Sequence, residues 1–109
     1  MPTTYKVLGQ SNPSATTATT LYTTPAATQT IVSTITVCNQ AATAATYRIA
    51  VRVAGAALAA SQYLAYDVSL PGNATDTLTL GVTLGATDVI TVYASSATVS
   101  FAAFGSELS

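Results

Sequence analysis

Side chains capable of acid–base or metal chemistry are few in this chain. Its 109 residues include three Lys or Arg, four Asp or Glu, one cysteine and no histidine. Histidine is the commonest general base and metal ligand, so its absence excludes Ser-His-Asp and Cys-His catalysis and the His-containing zinc sites. The single cysteine, Cys38, excludes an internal disulfide, and its place at the end of an apolar run predicts a buried small hydrophobe.

Two of the carboxylates, Asp76 and Asp88, recur in the same setting, each preceded by Ala-Thr. If they open adjacent strands they could approach one another, but calcium requires about six or more oxygen ligands. Aspartate side chains also commonly bond the backbone of their own turn. We therefore expect both aspartates to cap turns, and we expect no catalytic residue, no metal and no cofactor.

Arginines and tyrosines are the remaining groups suited to recognition. Arg48 and Arg52 would be neighbours on a helix, but on a strand they lie ~13 Å apart, where we expect exposed contacts to other strands or other subunits. The six tyrosines are expected mainly as core anchors with a hydrated hydroxyl. An exposed row of Tyr63, Tyr66 and Tyr93 would instead give a platform for stacking on sugars.

The elements that position these side chains are predicted to be strands. In residues 47–54 apolar side chains alternate with the two arginines and alanines, and this period of two indicates a half-buried strand. The same period places Leu64, Tyr66, Val68 and Leu70 on one face of a strand over 63–70. Residues 77–84 form the most regular alternation, with Gly81 as a possible bulge, while 89–94 is apolar on both faces, as in a central strand. The alanine-rich segment 54–61 is too short for a stable helix and is expected to form at most one helical turn.

This pattern predicts an all-β fold class, namely a single β-sandwich of about eight short antiparallel strands with no substantial helix. Immunoglobulin-like and jelly-roll topologies both stay open, because strand order is not local information. Residues 1–18 are predicted as an extended N-terminal arm and a polar Thr/Ser-rich loop, and residues 19–109 as the β-sandwich domain.

Charge is the unusual feature of the composition, since only 6% of the residues are charged against about 25% in a typical domain. Three scattered basic residues cannot supply the counterion release that drives nucleic-acid binding. A surface with so few charges suits a protein whose surface is covered in an assembly. The chain opens with no export signal and contains no apolar run near the ~20 residues of a membrane helix, so neither export nor a membrane partner is expected.

Four phrases occur in a characteristic order: TTLYTTPAATQTIVSTITVCN (19–39), AATYRIAVR (44–52), LGATDVITVYAS (84–95) and VSFAAFGSEL (99–108). This order resembles that of small virion structural proteins of tailed bacteriophages, of the cyanobacterial and marine phage type. The resemblance covers nearly the whole chain from about residue 19. It implies a compact β-sandwich that coats or extends the particle and that has no catalytic residues to transfer.

The resemblance implies a non-enzymatic virion structural protein, and we expect a capsid decoration or cement protein that stabilises the head by protein–protein contacts. A neck, baseplate or tail-fibre component is the alternative within the virion, and a glycan- or receptor-binding β-sandwich module is the alternative of another class. The expected location is the virion, after synthesis in the host cytoplasm.

The expected partners are the major capsid protein or other virion proteins and further copies of this chain, a trimer being favoured, without nucleic acid or membrane. An extended arm can add a strand to the edge of a neighbour's sheet. The candidate assembly contacts are Tyr5, Val7, Leu8, Arg48 and Arg52.

Overall fold

The computed structural model describes residues 3–109, which form two antiparallel sheets packed face to face. The strands are β1 (Thr3–Ser11), β2 (Thr19–Thr23), β3 (Gln29–Asn39), β4 (Ala45–Arg52), β5 (Tyr63–Leu70), β6 (Thr75–Leu78), β7 (Val82–Leu84), β8 (Val89–Ala94) and β9 (Val99–Leu108). Two short 3₁₀ turns, Val53–Gly55 and Ala60–Gln62, lie between β4 and β5. The all-β sandwich predicted from the sequence is confirmed.

Strand pairing is nested along the chain. Strand β1 pairs with β9, β2 with β8, β3 with β6 and β7, and β4 with β5, all antiparallel. The five-stranded sheet has the order β1-β9-β3-β6, with β7 also on β3, and the four-stranded sheet has the order β2-β8-β4-β5. This arrangement of folded-over antiparallel pairs is the jelly-roll order, and it differs from the ABED and CFG sheets of an immunoglobulin domain.

The core lies between the two sheets and is filled by alternate residues of each strand. Tyr47 and Phe101 are the largest fully buried side chains, and their rings meet edge to face with centroids 6.2 Å apart. Strand β8 is buried on both faces at the centre of the four-stranded sheet, as its continuous apolar sequence predicts. Because many inward positions are valine or alanine, these few large side chains supply much of the apolar area that stabilises the fold.

Strand β5 differs from the face predicted for it. Its register against β4 shifts so that Tyr47 stands opposite Val68 while Ile49 stands opposite Ala65. The extra residue is accommodated by a bulge at Asp67, whose φ is +50°. The predicted common face is therefore wrong: Val68 and Leu70 turn towards the core, whereas Leu64 and Tyr66 are exposed.

The single strand predicted over residues 77–84 is two strands, β6 and β7. Both strands pair with β3: Leu78 of β6 lies opposite Ile35, and Val82 of β7 lies opposite Val32. Between these pairs the chain has three residues, 79–81, where β3 has two, residues 33 and 34. The extra residue is accommodated at Gly81, whose φ is +64°, a conformation that favours glycine. The irregularity expected at Gly81 is thus present, and it interrupts the strand.

The amino-terminal segment is part of the sandwich. The division predicted at residue 19 placed residues 3–11 in an arm outside the domain. These residues instead pair with β9, from Thr3 opposite Leu108 to Ser11 opposite Phe101. This pairing satisfies the backbone groups of one side of β1 and leaves the other side as an open sheet edge. The polar tract contributes the connection between β1 and β2. Residues 1 and 2 of the predicted arm lie outside the described residues.

Cys38 is half-buried, and the expectation of full burial is wrong. In β3 the neighbouring Val37 is completely buried, so alternation turns Cys38 to the outer face of the five-stranded sheet.

Candidate functional site

The outer face of the five-stranded sheet carries an exposed apolar patch, here called the outer patch and defined as Tyr5, Val7, Ile31 and Phe104. Tyr5 of β1, Ser106 of β9 and Ile31 of β3 lie side by side in one row across the sheet. Val7 lies opposite Phe104 in a neighbouring row. Tyr5 is 82% exposed, Val7 48% and Ile31 44%. Exposed apolar side chains grouped in this way mark contact surfaces more often than isolated ones do.

Three of the predicted assembly contacts fall on β1, and the structure separates them. Tyr5 and Val7 belong to the outer patch, whereas Leu8 is 9% exposed and belongs to the hydrophobic core. The reason is the alternation of side chains along β1, which points Leu8 inward beside the outward Val7. Sequence analysis did not single out Ile31 or Phe104, although the alternation of Ile31 with the buried Thr30 and Val32 is the signal that places it outside.

A polar cluster lies on the inner face of the five-stranded sheet, at the edge formed by β1. Lys6 forms an ion pair with Glu107 at 3.1 Å, and Glu107 accepts a hydrogen bond from the Tyr22 hydroxyl. The hydrogen bonds from Tyr22 and Lys6 lower the pKa of Glu107. Burial, followed by the hydrogen bond to Glu107, raises the pKa of Tyr22 to about 12. These contacts join β1 and β9 to β2 of the opposite sheet and serve the fold.

Arg48 lies on the outer face of the four-stranded sheet and is held on three sides. Its guanidinium donates to both carboxylate oxygens of Asp67, at 2.6 and 3.2 Å. The Tyr66 and Tyr93 rings lie 4.2 and 4.3 Å from the guanidinium carbon, within the range of cation–π attraction. The hydrogen bond from Arg48 lowers the pKa of Asp67 and raises the pKa of Arg48 itself.

Arg52 forms hydrogen bonds to β8 and to the loop that follows β4. Its Nε donates to Thr91 Oγ1 at 3.0 Å, and its Nη1 donates to the carbonyl oxygens of Gly55 and Ala56. These bonds fix the 3₁₀ turn after β4. Both arginines thus have partners within the chain, and a contact of either with another subunit stays a prediction.

The two aspartates of the repeated Ala-Thr-Asp phrase have different partners. Asp88 caps its turn by accepting the backbone N–H of Gly85 at 2.8 Å and of Ala54 at 2.9 Å, as expected. Asp76 lies in β6 and accepts the Tyr47 hydroxyl at 2.9 Å, so it is not a turn cap in the sense expected. Across residues 3–109 no group of three or more Cys, Asp or Glu side chains is placed to hold a metal ion.

The tyrosines proposed as a sugar platform lie on one surface. Tyr66 is 58% exposed, and Tyr63 and Tyr93 are half-buried beside it. Tyr63 meets Tyr66 edge to face with centroids 4.9 Å apart. Sequence analysis named these three residues but missed their link through Arg48, because the bulge at Asp67 that aims Tyr66 outward leaves no local sequence signal.

Searches with family models, among curated proteins and among solved structures returned no match to this chain. In the part of the chain that the structure describes, no helix is both long enough and apolar enough to cross a membrane. Function is therefore argued from the two surfaces described above.

Proposed function

We propose that this chain is a non-enzymatic structural protein of a tailed-phage virion, and specifically a decoration protein that reinforces the capsid by protein–protein contacts. The observation that carries the proposal is the outer patch beside the open edge of β1. A jelly-roll sandwich with an apolar outer face and an unpaired edge strand is suited to bind flat against other β-rich subunits. The resemblance of the sequence phrases to virion structural proteins supports the same class.

Charge supports assembly through this patch. Lys6, the charged residue of β1, is paired with Glu107, and the four residues of the outer patch are uncharged. Burying uncharged side chains at an interface avoids the desolvation penalty that even a paired charge would carry. Stable interfaces bury about 1,000 Å² or more in total, and many equivalent copies on a capsid would add their contributions without a strong individual contact.

The first test is the mass of the purified protein in solution, measured by light scattering after size exclusion. We expect a trimer, and we expect the double variant Tyr5→Ser, Val7→Thr to dissociate to monomers because it removes apolar area from the outer patch. Point variants are preferable to removal of residues 1–9, since that deletion would also take Leu8 out of the core.

Leu64→Ser is the matched control, because Leu64 is 47% exposed on β5 of the other sheet. The control should remain trimeric. A monomeric wild-type protein at high concentration, or equal dissociation of the control, would contradict assembly through the outer patch.

Position on the particle is tested by immunogold electron microscopy of phage particles purified from cells in which the chain is produced. Label distributed over the head supports capsid decoration. Label confined to the neck, baseplate or fibres would assign the chain to the alternative within the virion, and absence from the particles would overturn the proposed class.

A further inference from the structure

An open hollow of about 560 Å³ lies outside the four-stranded sheet, beside the turn Ala60–Gln62. Its lining consists of Leu58, Ala59, Ala60, Tyr63 and Tyr66. Small-molecule sites usually have volumes of about 300–1,000 Å³ and combine apolar walls with a few polar groups. The hollow has this size and this composition.

The tyrosine side of the hollow is restrained by Arg48 and by ring packing. The Arg48 guanidinium lies 4.2 Å from the centre of the Tyr66 ring, and Asp67 holds Arg48 in turn through two hydrogen bonds. Tyr63 packs against the Tyr66 ring at an interplanar angle of 82°. Restricting the rings in this way reduces the entropy that binding would otherwise cost.

The opposite wall is braced by Gln62. Its side-chain oxygen accepts the backbone N–H of Ala59 at 2.8 Å, and its amide nitrogen donates to the carbonyl of Ala57 at 3.0 Å. These bonds hold residues 57–60 as a wall beside the tyrosines. Both sides of the hollow are therefore held in place by contacts within the chain.

The chemistry of the lining selects a neutral ligand. Arg48 is the charged group next to the tyrosines, and Asp67 compensates it. Within residues 3–109 the tyrosine hydroxyls that bond to other side chains belong to Tyr22 and Tyr47, which leaves the hydroxyls of Tyr63 and Tyr66 for a ligand. Tyr66 is 58% exposed with Arg48 over its ring, and an exposed aromatic surface beside phenol hydroxyls matches a molecule with one apolar face and a rim of hydroxyl groups.

The geometry points to a binding site for a neutral saccharide, with the C–H face of one pyranose ring on the hollow's tyrosine side and sugar hydroxyls bonded to the Tyr63 and Tyr66 phenols. The 57–60 wall limits the ligand to one or two sugar units in contact. This site uses the four-stranded sheet, so it is independent of assembly through the outer patch.

The test is saturation-transfer difference NMR on the full chain with maltose, cellobiose, lactose and chitobiose as probes. We expect transfer to the ring C–H protons of at least one disaccharide. Tyr66→Ala should weaken that binding on the order of tenfold, because it removes the stacking surface. Ala60→Arg should do the same by filling the hollow without altering a strand, which keeps the test valid if Tyr66→Ala fails to fold.

Leu80→Ala is the control, since Leu80 is 50% exposed and belongs neither to the lining of the hollow nor to the outer patch, and it should bind as the wild type does. Absence of transfer to all four sugars, or equal transfer with Ala60→Arg, would overturn the site. A decaproline peptide tests whether the hollow is a peptide groove. If the peptide receives saturation transfer, competes with the sugars and loses its transfer in Ala60→Arg, the saccharide assignment would be overturned.

Discussion

Asn39 is a completely buried polar side chain that joins three loops. Its amide nitrogen donates to the carbonyl oxygens of Thr43 at 2.8 Å and Pro71 at 3.3 Å. Its oxygen accepts from the backbone N–H of Ala41 at 3.1 Å and from the Thr98 hydroxyl at 3.0 Å. Because donor and acceptor are both used, an asparagine is required at this position and an aspartate is not equivalent.

Asn39→Asp should lower the free energy of unfolding by about 3 kcal/mol at neutral pH, because a buried carboxylate would face carbonyl oxygens in place of an N–H donor. Asn12→Asp is the control: Asn12 is exposed and also donates to two carbonyls, so its loss should be smaller. Urea denaturation measures both. The deficit of Asn39→Asp should shrink at acid pH, where the introduced carboxyl regains a proton, and a deficit independent of pH would contradict this explanation.

Among the strands, β9 determines the five-stranded sheet because it lies between β1 and β3. At Gly105 the backbone of β3 comes so close that an added Cβ atom would collide with the carbonyl oxygen of Ile31. This approach coincides with the register shift between Val32 and Thr34. A side chain at Gly105 would therefore push two hydrogen-bonded strands apart.

Gly105→Ala should destabilise the protein by about 1–3 kcal/mol, the usual cost of forcing extra atoms into a packed site. Gly85→Ala is the comparison, because a Cβ there would meet its nearest neighbour, Asp88 Oδ2, at an ordinary 3.6 Å. The midpoints of urea denaturation should separate the two variants clearly. If both shift equally, the close approach of β3 and β9 is not what constrains Gly105.

The two sheets of the whole molecule are joined by tyrosine hydroxyls as well as by the core. Tyr22 in the four-stranded sheet donates to Glu107 in the five-stranded sheet, and Tyr47 donates likewise to Asp76. Burial is the main cause that raises the pKa of both tyrosines to about 12, and the carboxylate partners add to it. The sandwich is therefore held partly by hydrogen bonds that require protonated phenols.

The stability of the molecule should fall as pH rises from about 10, the pKa of tyrosine in the unfolded chain, towards the folded value of about 12. A raised folded pKa contributes stability that is complete below pH 10 and is lost above it. Urea denaturation between pH 8 and 12 measures this slope. The double variant Tyr22→Phe, Tyr47→Phe should be less stable at pH 8 yet show a shallower slope, and an unchanged slope would contradict the assignment.

Much of this protein was determined by its sequence alone. Period-two alternation over residues 47–54, the apolar run of β8 and the turn signals between them are local patterns, so they predicted an all-β sandwich without knowledge of its strand order. The sequence also predicted an extended amino-terminal stretch that carries Tyr5 and Val7, and their contact with other subunits stays a prediction. The division at residue 19 assigned that segment to an arm outside the domain, whereas residues 3–11 pair with β9.

Only the tertiary structure decided the strand order, the exposed faces and the composition of both surfaces. The jelly-roll pairing joins β1 to β9, and no local pattern encodes a partner so distant along the chain. The bulge at Asp67 places the side chains before it on the opposite face from those after it, because a slip of one residue inverts a strand. That bulge exposes Tyr66, and the pairing of β1 with β9 brings the inward Leu8 into the core, so the surfaces available for assembly and for a ligand depend on pairing across the sheet.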